Sequence, residues 1–407
     1  MPPWRRFYFQ EVVTMVSERM KGLGNARSVI RELFEYGKIR AAEVGAENVF
    51  DFSIGNPSVP APAAINETAI RLLREQPDTI HCYTSAQGDQ GARQRFADSL
   101  NRRFGTNYSA DCLYITVGAA ASLCCVFNGL TCPGDEFIVF APYFPEYKVF
   151  IEGAGAKMVL IPPEIEAFQI DFDAFEAAIT PHTKGVVVNS PNNPSGVVYS
   201  KETLERLAAV LTAKSQEYGH PIYLISDEPY REIVYEGFKV EWIPSIYRDT
   251  IVCYSFSKSL SLPGERLGYV LVPENVTDSK DVYAAVAGAG RSLGYVNAPS
   301  LFQQVTSLCC DMTSDLKVYE RNAKLLVNAL REMGYHVVQP GGAFYLFPRS
   351  LEPDDVAFSE RAKQFDLLVV PGVGFGAPGH VRISYCVQTE MLERSLEKFK
   401  ALADSYR

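Results

Sequence analysis

Hydrophobic positions change register three times along the chain. Over residues 28–44, Val29, Ile30, Leu33, Phe34 and Ile39 recur at roughly helical spacing, and the pattern stops at Gly45; this predicts an amphipathic helix. An extended stretch over 50–57 then turns at Gly55, Pro57, Pro60 and Pro62, and residues 64–76 and 88–104 return to helical spacing. From residue 113 the pattern becomes short apolar runs, at 113–117, 137–140, 157–161, 185–188, 223–226, 251–254 and 267–272, separated by longer helical stretches. Short continuous apolar runs suit strands buried on both faces, and their alternation with helices predicts parallel crossovers. The expected class is α/β, with a mostly parallel seven-stranded sheet and helices on both faces. After about residue 300 come a long helical stretch, a strand over 341–347, a helix at 356–364, a strand over 381–385 and a closing helix over 389–405. These read as a smaller α+β domain. The expected division is a disordered extension at 1–14, an N-terminal segment at 15–63 joining the small domain, a large domain at 64–300 and a small C-terminal domain at 301–407.

Composition narrows the function classes. The 407 residues are 47% hydrophobic and 21% charged, with a net charge of −9. A nucleic-acid binder would show a basic stripe; none is found, the small cluster Arg5-Arg6 being too short to count, and no nucleic-acid partner is expected. No run approaches the roughly 18 apolar residues of a membrane span. The first residues lack the apolar core and cleavage site of a secretory signal, and Met15 reads as an alternative start. The nine cysteines contain no Cys-x-x-Cys, and 124–125 and 309–310 are adjacent pairs. Reduced thiols in a cytoplasmic protein are expected. The five histidines are scattered, and no metal site is expected.

In an open parallel sheet, ligands bind beyond the carboxyl ends of the strands, so the polar residues after each apolar run carry the candidate chemistry. After 251–254 stands Ser255-Phe-Ser257-Lys258-Ser-Leu-Ser-Leu-Pro-Gly-Glu-Arg266-Leu-Gly268. A lysine that is partly desolvated loses proton affinity and becomes an amine nucleophile, while Ser255, Ser257 and Arg266 suit a phosphate. After 185–188 comes Asn189-Ser-Pro-Asn-Asn193-Pro194-Ser-Gly196, which by itself is equally a plain turn. After 223–226 comes Asp227-Glu-Pro-Tyr230; alone, such a pair is more often a cap or a solvated pair. After 113–117, Gly118-Ala119-Ala120 opens a helix whose exposed amides suit an anion. Phe144 lies in Ala141-Pro-Tyr-Phe-Pro, with Tyr143 one residue away. Arg382 in Val381-Arg-Ile-Ser-Tyr385 faces away from Val381, Ile383 and Tyr385 on an alternating strand. Gly372-Val-Gly374-Phe-Gly376 lacks the strand–helix context of a dinucleotide fingerprint and reads as a loop.

The 255–268 segment resembles the lysine-site signature of the class I aminotransferases, the pyridoxal-phosphate enzymes of the aspartate aminotransferase fold. Further pieces of that pattern run in order from Gly55 to Arg382. The resemblance implies pyridoxal 5′-phosphate on Lys258 as a Schiff base, Asp227 on the ring nitrogen, and Asn193 and Tyr230 on the phenolic oxygen, with Asn193-Pro194 able to be cis. It implies Phe144 stacking on the ring. Gly118, Ala119, Ala120, Ser255, Ser257 and Arg266 would cradle the phosphate, where many relatives have Ser, Thr or Gln in place of the alanines. Arg382 and Gly55 would meet the substrate carboxylate, with Asn193 beside them. Tyr83 would reach the phosphate of a neighbouring subunit, making a homodimer with shared sites. The implied reaction moves an amino group between an L-amino acid, best aspartate or glutamate, and a 2-oxo acid. Arg291 is the candidate for a distal carboxylate, although an interface ion pair suits it as well. Rival readings are a carbon–sulfur β-lyase or an aminocyclopropane carboxylate synthase on the same fold. More distant is the sensor domain of a transcription regulator, but the segment before Gly55 has no basic recognition helix.

Overall fold

The computed structural model describes residues 15–25 and 29–407. The expected extension at 1–14 lies outside the described residues.

Seven strands form the large sheet: β1 (Leu113–Thr116), β2 (Glu136–Phe140), β3 (Lys157–Ile161), β4 (Thr183–Asn189), β5 (Tyr223–Asp227), β6 (Thr250–Ser255) and β7 (Gly268–Leu271). Their order is β1-β7-β6-β5-β4-β2-β3. All neighbours are parallel except β7, which runs antiparallel to both β1 and β6. Six of the seven strands are almost wholly buried on both faces, as their apolar runs require, while the edge strand β3 leaves Lys157 and Leu160 exposed. Ile138, Val186, Val188 and Leu224 pack in one core layer, while Phe137, Val139, Val187, Ile225, Ile251, Cys253 and Val270 pack in the other. The alternation follows from successive side chains pointing to opposite faces.

The remaining elements surround a second core. Phe50–Asp51 pairs parallel with Leu367–Leu368, and Val381–Ser384 lies between Val370–Pro371 and Tyr345–Leu346. Phe52 and Val59 join the core built by Tyr319, Leu326, Phe344, Leu367, Ile383 and Phe399. The long helical stretch after 300 is two helices, Ser300–Leu308 and Lys317–Glu332. The run at 341–347 forms a strand only at Tyr345–Leu346, with one isolated antiparallel bridge from Gly342 to Val234. Its glycines explain this. Gly342 sits against the Ile233 carbonyl and Pro191, closer than a side chain would permit, so this part of the run serves close approach and not a ladder.

Because β7 is antiparallel, its start, Gly268, lies opposite both Thr116 and Ser255. Asn189 and Asp227 end neighbouring strands and are directly paired. The segments rich in candidate chemistry thus meet at the carboxyl ends of the central parallel strands.

Candidate active site

Beyond those strand ends is a cavity of about 420 Å³. Its lining includes Gly55, Ala119, Ala120, Phe144, Asn193, Asp227, Tyr230, Ser255, Ser257, Lys258, Arg266 and Arg382. A larger surface cavity of about 740 Å³, lined by Arg93, Asp111, Cys112 and Tyr283 among others, opens at the opposite end of β1 and contains none of these residues.

Lys258 stands on the short helix Phe256–Ser259, which Ser255 caps by accepting from the Ser257 amide at 3.0 Å. Its Nζ donates to the Gly55 carbonyl at 2.7 Å. Burial, reinforced by the positive charges of Arg266 and Arg382, pulls the ammonium down to about 8. Neutral amine is therefore abundant near pH 8. The covalent capture of an added aldehyde cofactor is expected to rise about tenfold between pH 7 and 9 and then level off, following the neutral fraction. Stopped-flow absorbance checks this; a rate still climbing tenfold per unit above pH 9 would mean an ordinary, solvated lysine.

Asp227 ends β5. Its Oδ2 accepts from the Tyr147 hydroxyl at 2.5 Å, while Oδ1 is buried without a protein partner. Burial pushes the carboxyl up to about 7. A buried carboxylate oxygen left open on the cavity side is costly unless a cationic donor completes it. Asn189 braces this corner, donating to the Asp227 carbonyl at 2.9 Å and accepting from the Asn193 amide at 2.7 Å. Asn193-Pro194 is cis, and the Asn193 Oδ1 accepts from Arg382 Nη1 at 3.1 Å. Arg382 also donates through Nη2 to the Ser53 carbonyl, and its Nε is buried without a partner. The guanidinium lies between the Tyr345 and Phe375 rings, 4.9 Å from each centroid. Tyr230 shares a hydroxyl contact with Tyr345 at 3.0 Å. A Cβ at position 55 would run into the Tyr345 hydroxyl, so glycine is what lets this backbone approach.

The opposite wall is cationic. Gly118, at φ 94°, turns β1 into the helix Ala119–Leu130. Any Cβ on Gly118 would sit 3.0 Å from an Arg266 guanidinium nitrogen, so the missing side chain keeps that charge at the helix start. Ser255 and Ser257 add hydroxyls, 2.6 Å apart.

These features fit pyridoxal 5′-phosphate. An open helix N-terminus with Arg266 suits the phosphate, Asp227 Oδ1 awaits a cationic nitrogen, Phe144 offers a ring face, and the desolvated amine of Lys258 lines the same cavity. Tyr143 is not in the lining, which favours Phe144 of the two aromatics. Three expected residues are absent from the cavity lining: Gly118, which lies beside Arg266 at the helix start, Tyr83 and Arg291. Tyr83 is fully exposed on its loop, and Arg291 is exposed on the last turn of Ser279–Ser292. Conversely, Tyr147, Asn189, Tyr345, Ile30 and Arg31 belong to the site and escaped the sequence reading. Asn189, the last residue of the 183–189 strand, could have been found by the strand-exit rule. The others carry core-like or helical signals with no local mark. Among the described residues, no group of three or more His, Cys, Asp and Glu is placed to hold a metal, and no helix is long and apolar enough to cross a membrane.

Comparison with known proteins agrees with this geometry. The model for "Aminotransferase class I and II" matches residues 47–399. The aspartate/prephenate aminotransferase of Thermus thermophilus is 33% identical over 358 residues, covering 85% of this chain and 88% of the relative. The aspartate aminotransferase of Thermotoga maritima is 30% identical over 395 residues, covering 96% and 100%. A solved aminotransferase from Eubacterium rectale superimposes with a TM-score of 0.95 at 56% identity, covering 97% of this chain and 100% of that one. The aspartate aminotransferase from Thermus thermophilus with maleate gives 0.83 at 29% identity, covering 95% and 99%. With the family model spanning most of its length, the chain belongs to the class I and II aminotransferases.

Proposed function

We propose that this aminotransferase works on dicarboxylic substrates, taking its amino group from aspartate or glutamate and passing it to a 2-oxo acid such as 2-oxoglutarate, with Lys258 as its central residue. The cofactor is pyridoxal 5′-phosphate, as in its family. The observation that carries the residue assignment is that the cavity lining holds one lysine, desolvated, together with Asp227, whose Oδ1 is open, and Arg382.

When bound, pyridoxal phosphate supplies a carbonyl that condenses with amines and a ring that accepts the electron pair left at the substrate Cα. In this reading Arg382 grips the α-carboxylate, using the Nε that has no protein partner and the fork already oriented by Asn193. Asn193 and Gly55 lie beside that carboxylate. Lys258 holds the cofactor at rest and, once displaced, takes the proton from the substrate Cα as general base. Asp227 keeps its negative charge against the ring nitrogen, fixed by Tyr147. Tyr230 and Asn193 donate to the phenolic oxygen, and Phe144 covers one ring face. Gly118, Ala119, Ala120, Ser255, Ser257 and Arg266 hold the phosphate.

Two observations support the dicarboxylate. The two named relatives are aspartate or aspartate/prephenate aminotransferases, and the Thermus structure contains maleate, itself a dicarboxylate. The cavity also has a second substrate-side guanidinium, Arg31, on the helix Val29–Val44. Arg31 is exposed, so Arg31→Gln is expected to lower kcat/KM for aspartate about 2- to 5-fold, the scale of a solvent-exposed ion pair, while leaving alanine unchanged. The measurement is a panel of amino donors and 2-oxo acids, with cofactor absorbance followed in each half-reaction. Equal losses for both donors would remove Arg31 from recognition. A panel in which dicarboxylates are no better than apolar donors would overturn the substrate reading.

The working form in this reading is a homodimer. Tyr83, Ile70, Leu73, Tyr295 and Leu308 are exposed on segments that pack together, with Asn297 bonded to Ser85 and Ser300 to the Ile80 carbonyl. A contiguous apolar surface of this kind suits a partner, and Tyr83 would then reach the neighbouring phosphate. Analytical ultracentrifugation tests it; a catalytically active monomer would refute it.

A further inference from the structure

Behind the cavity wall lies a buried ionic cluster that makes no contact with the cofactor site. Arg231 donates from Nη1 to Glu228 at 3.0 Å, from Nε to Glu232 at 3.1 Å and from Nη2 to the Tyr269 hydroxyl at 3.2 Å. Its guanidinium lies 4.1 Å from the Tyr254 ring centroid. Ser226 donates to the other Glu228 oxygen at 2.7 Å, and Arg103 pairs with Glu232 at 2.9 Å. The Tyr254 hydroxyl donates to Glu232 Oε2 at 2.8 Å and sits 2.9 Å from Ser259 Oγ, whose proton it accepts. Two carboxylates face two guanidinium groups, so the charges balance. Such a cluster is weak evidence for stability, because apolar residues of similar volume commonly do as well.

Its sequence neighbours suggest what it is for. Glu228 follows Asp227, Arg231 follows Tyr230, and Ser259 follows Lys258. Each of these members is thus one peptide bond from a residue lining the cavity. Lys258 rides on a helix of four residues, too short to hold its own orientation.

We propose that Arg231 is a positioning residue: the Glu228–Arg231–Glu232 cluster, acting through Tyr254 and Ser259, sets the placement of Lys258 relative to Asp227 and Tyr230. The inference rests on the reading that Lys258 carries the cofactor. Borohydride reduction of the wild-type holoenzyme followed by peptide mapping tests that reading separately, since the label must fall on Lys258.

The test of the inference is Tyr254→Phe, which removes the hydroxyl between Glu232 and Ser259 and keeps the ring against Arg231. In the holoenzyme, kcat should fall about 10- to 100-fold, as a misplacement of about an ångström produces, with KM nearly unchanged. The pH midpoint of the bound-cofactor absorbance should move as well, because the distances from Lys258 to Arg266 and Arg382, its charged neighbours beside Cys386, would change. Ser259→Ala cuts the same link from its other end and should give the same shift. Arg231→Lys, which keeps the charge but not the fork, should be intermediate between wild type and Arg231→Met. A folded Tyr254→Phe enzyme with wild-type kcat and absorbance midpoint overturns the inference. If Tyr254→Phe does not fold, a wild-type Ser259→Ala enzyme does the same.

Discussion

Lys258→Ala is expected to lower turnover by at least about 10⁴-fold, the combined scale of losing a general base and a covalent nucleophile, and to abolish the absorbance of the lysine-bound cofactor. The size follows from the cavity's composition. The other cations of its described lining, Arg31, Arg266 and Arg382, carry guanidinium forks that bind anions and offer no simple amine to condense with a carbonyl. No lining residue can substitute for the amine. Lys258→Arg should be equally inactive, which separates the need for a neutral amine from the need for positive charge. Either variant retaining turnover within tenfold of wild type would remove Lys258 from the centre of the site.

Asp227→Asn is expected to lower kcat by about 10²- to 10³-fold, the usual cost of losing one preorganised electrostatic group at developing charge. The buried Oδ1 has no protein partner, so its charge is available to a ring nitrogen. An amide keeps the shape and the Tyr147 contact but not the charge. The cofactor-free protein should show an opposite effect on stability. Burial raises the folded carboxyl from 3.8 to about 7. The folded state therefore holds the proton more tightly, and stability present below pH 3.8 is lost as pH rises through about 7. At pH 8 the cofactor-free Asn variant should be more stable than wild type by on the order of 2–4 kcal/mol, shrinking toward acid pH. Urea midpoints at pH 5 and pH 8 check this. A cofactor-free variant less stable than wild type at pH 8 would show that Asp227 is not held at the expense of stability for a cationic partner.

Much of the site was legible because a parallel sheet concentrates chemistry at strand exits. Lys258, Asp227 and Asn193 each follow an apolar run within a few residues, and the structure brings all three to one cavity. Helix boundaries were also readable, as with Val29–Val44 and Thr389–Asp404, since a long periodic face leaves little freedom in register. Tyr147 and Tyr345 were not legible. Each looks like an ordinary core aromatic, and each acquires its role only because a distant hydroxyl or carboxylate is packed against it, 80 residues away for Tyr147 and 115 for Tyr345. Arg31 and Arg291 show the same limit from the other side. Both are arginines on amphipathic helices, and only the packing of the first helix against the cavity distinguishes them.

By itself, the sequence determined the class of fold, the positions of the seven strands and the strand-exit segments that meet at one cavity. Those properties are local: apolar spacing selects the element, and motif residues lie within one turn or strand exit. Tertiary structure decided which polar atoms remain open and which are already spent. Asp227 has one oxygen bound to Tyr147 and one free, Lys258 loses proton affinity by burial, and Arg382 is aimed by Asn193 and Ser53. Burial and hydrogen-bond saturation depend on neighbours hundreds of residues apart, so no window of sequence contains them.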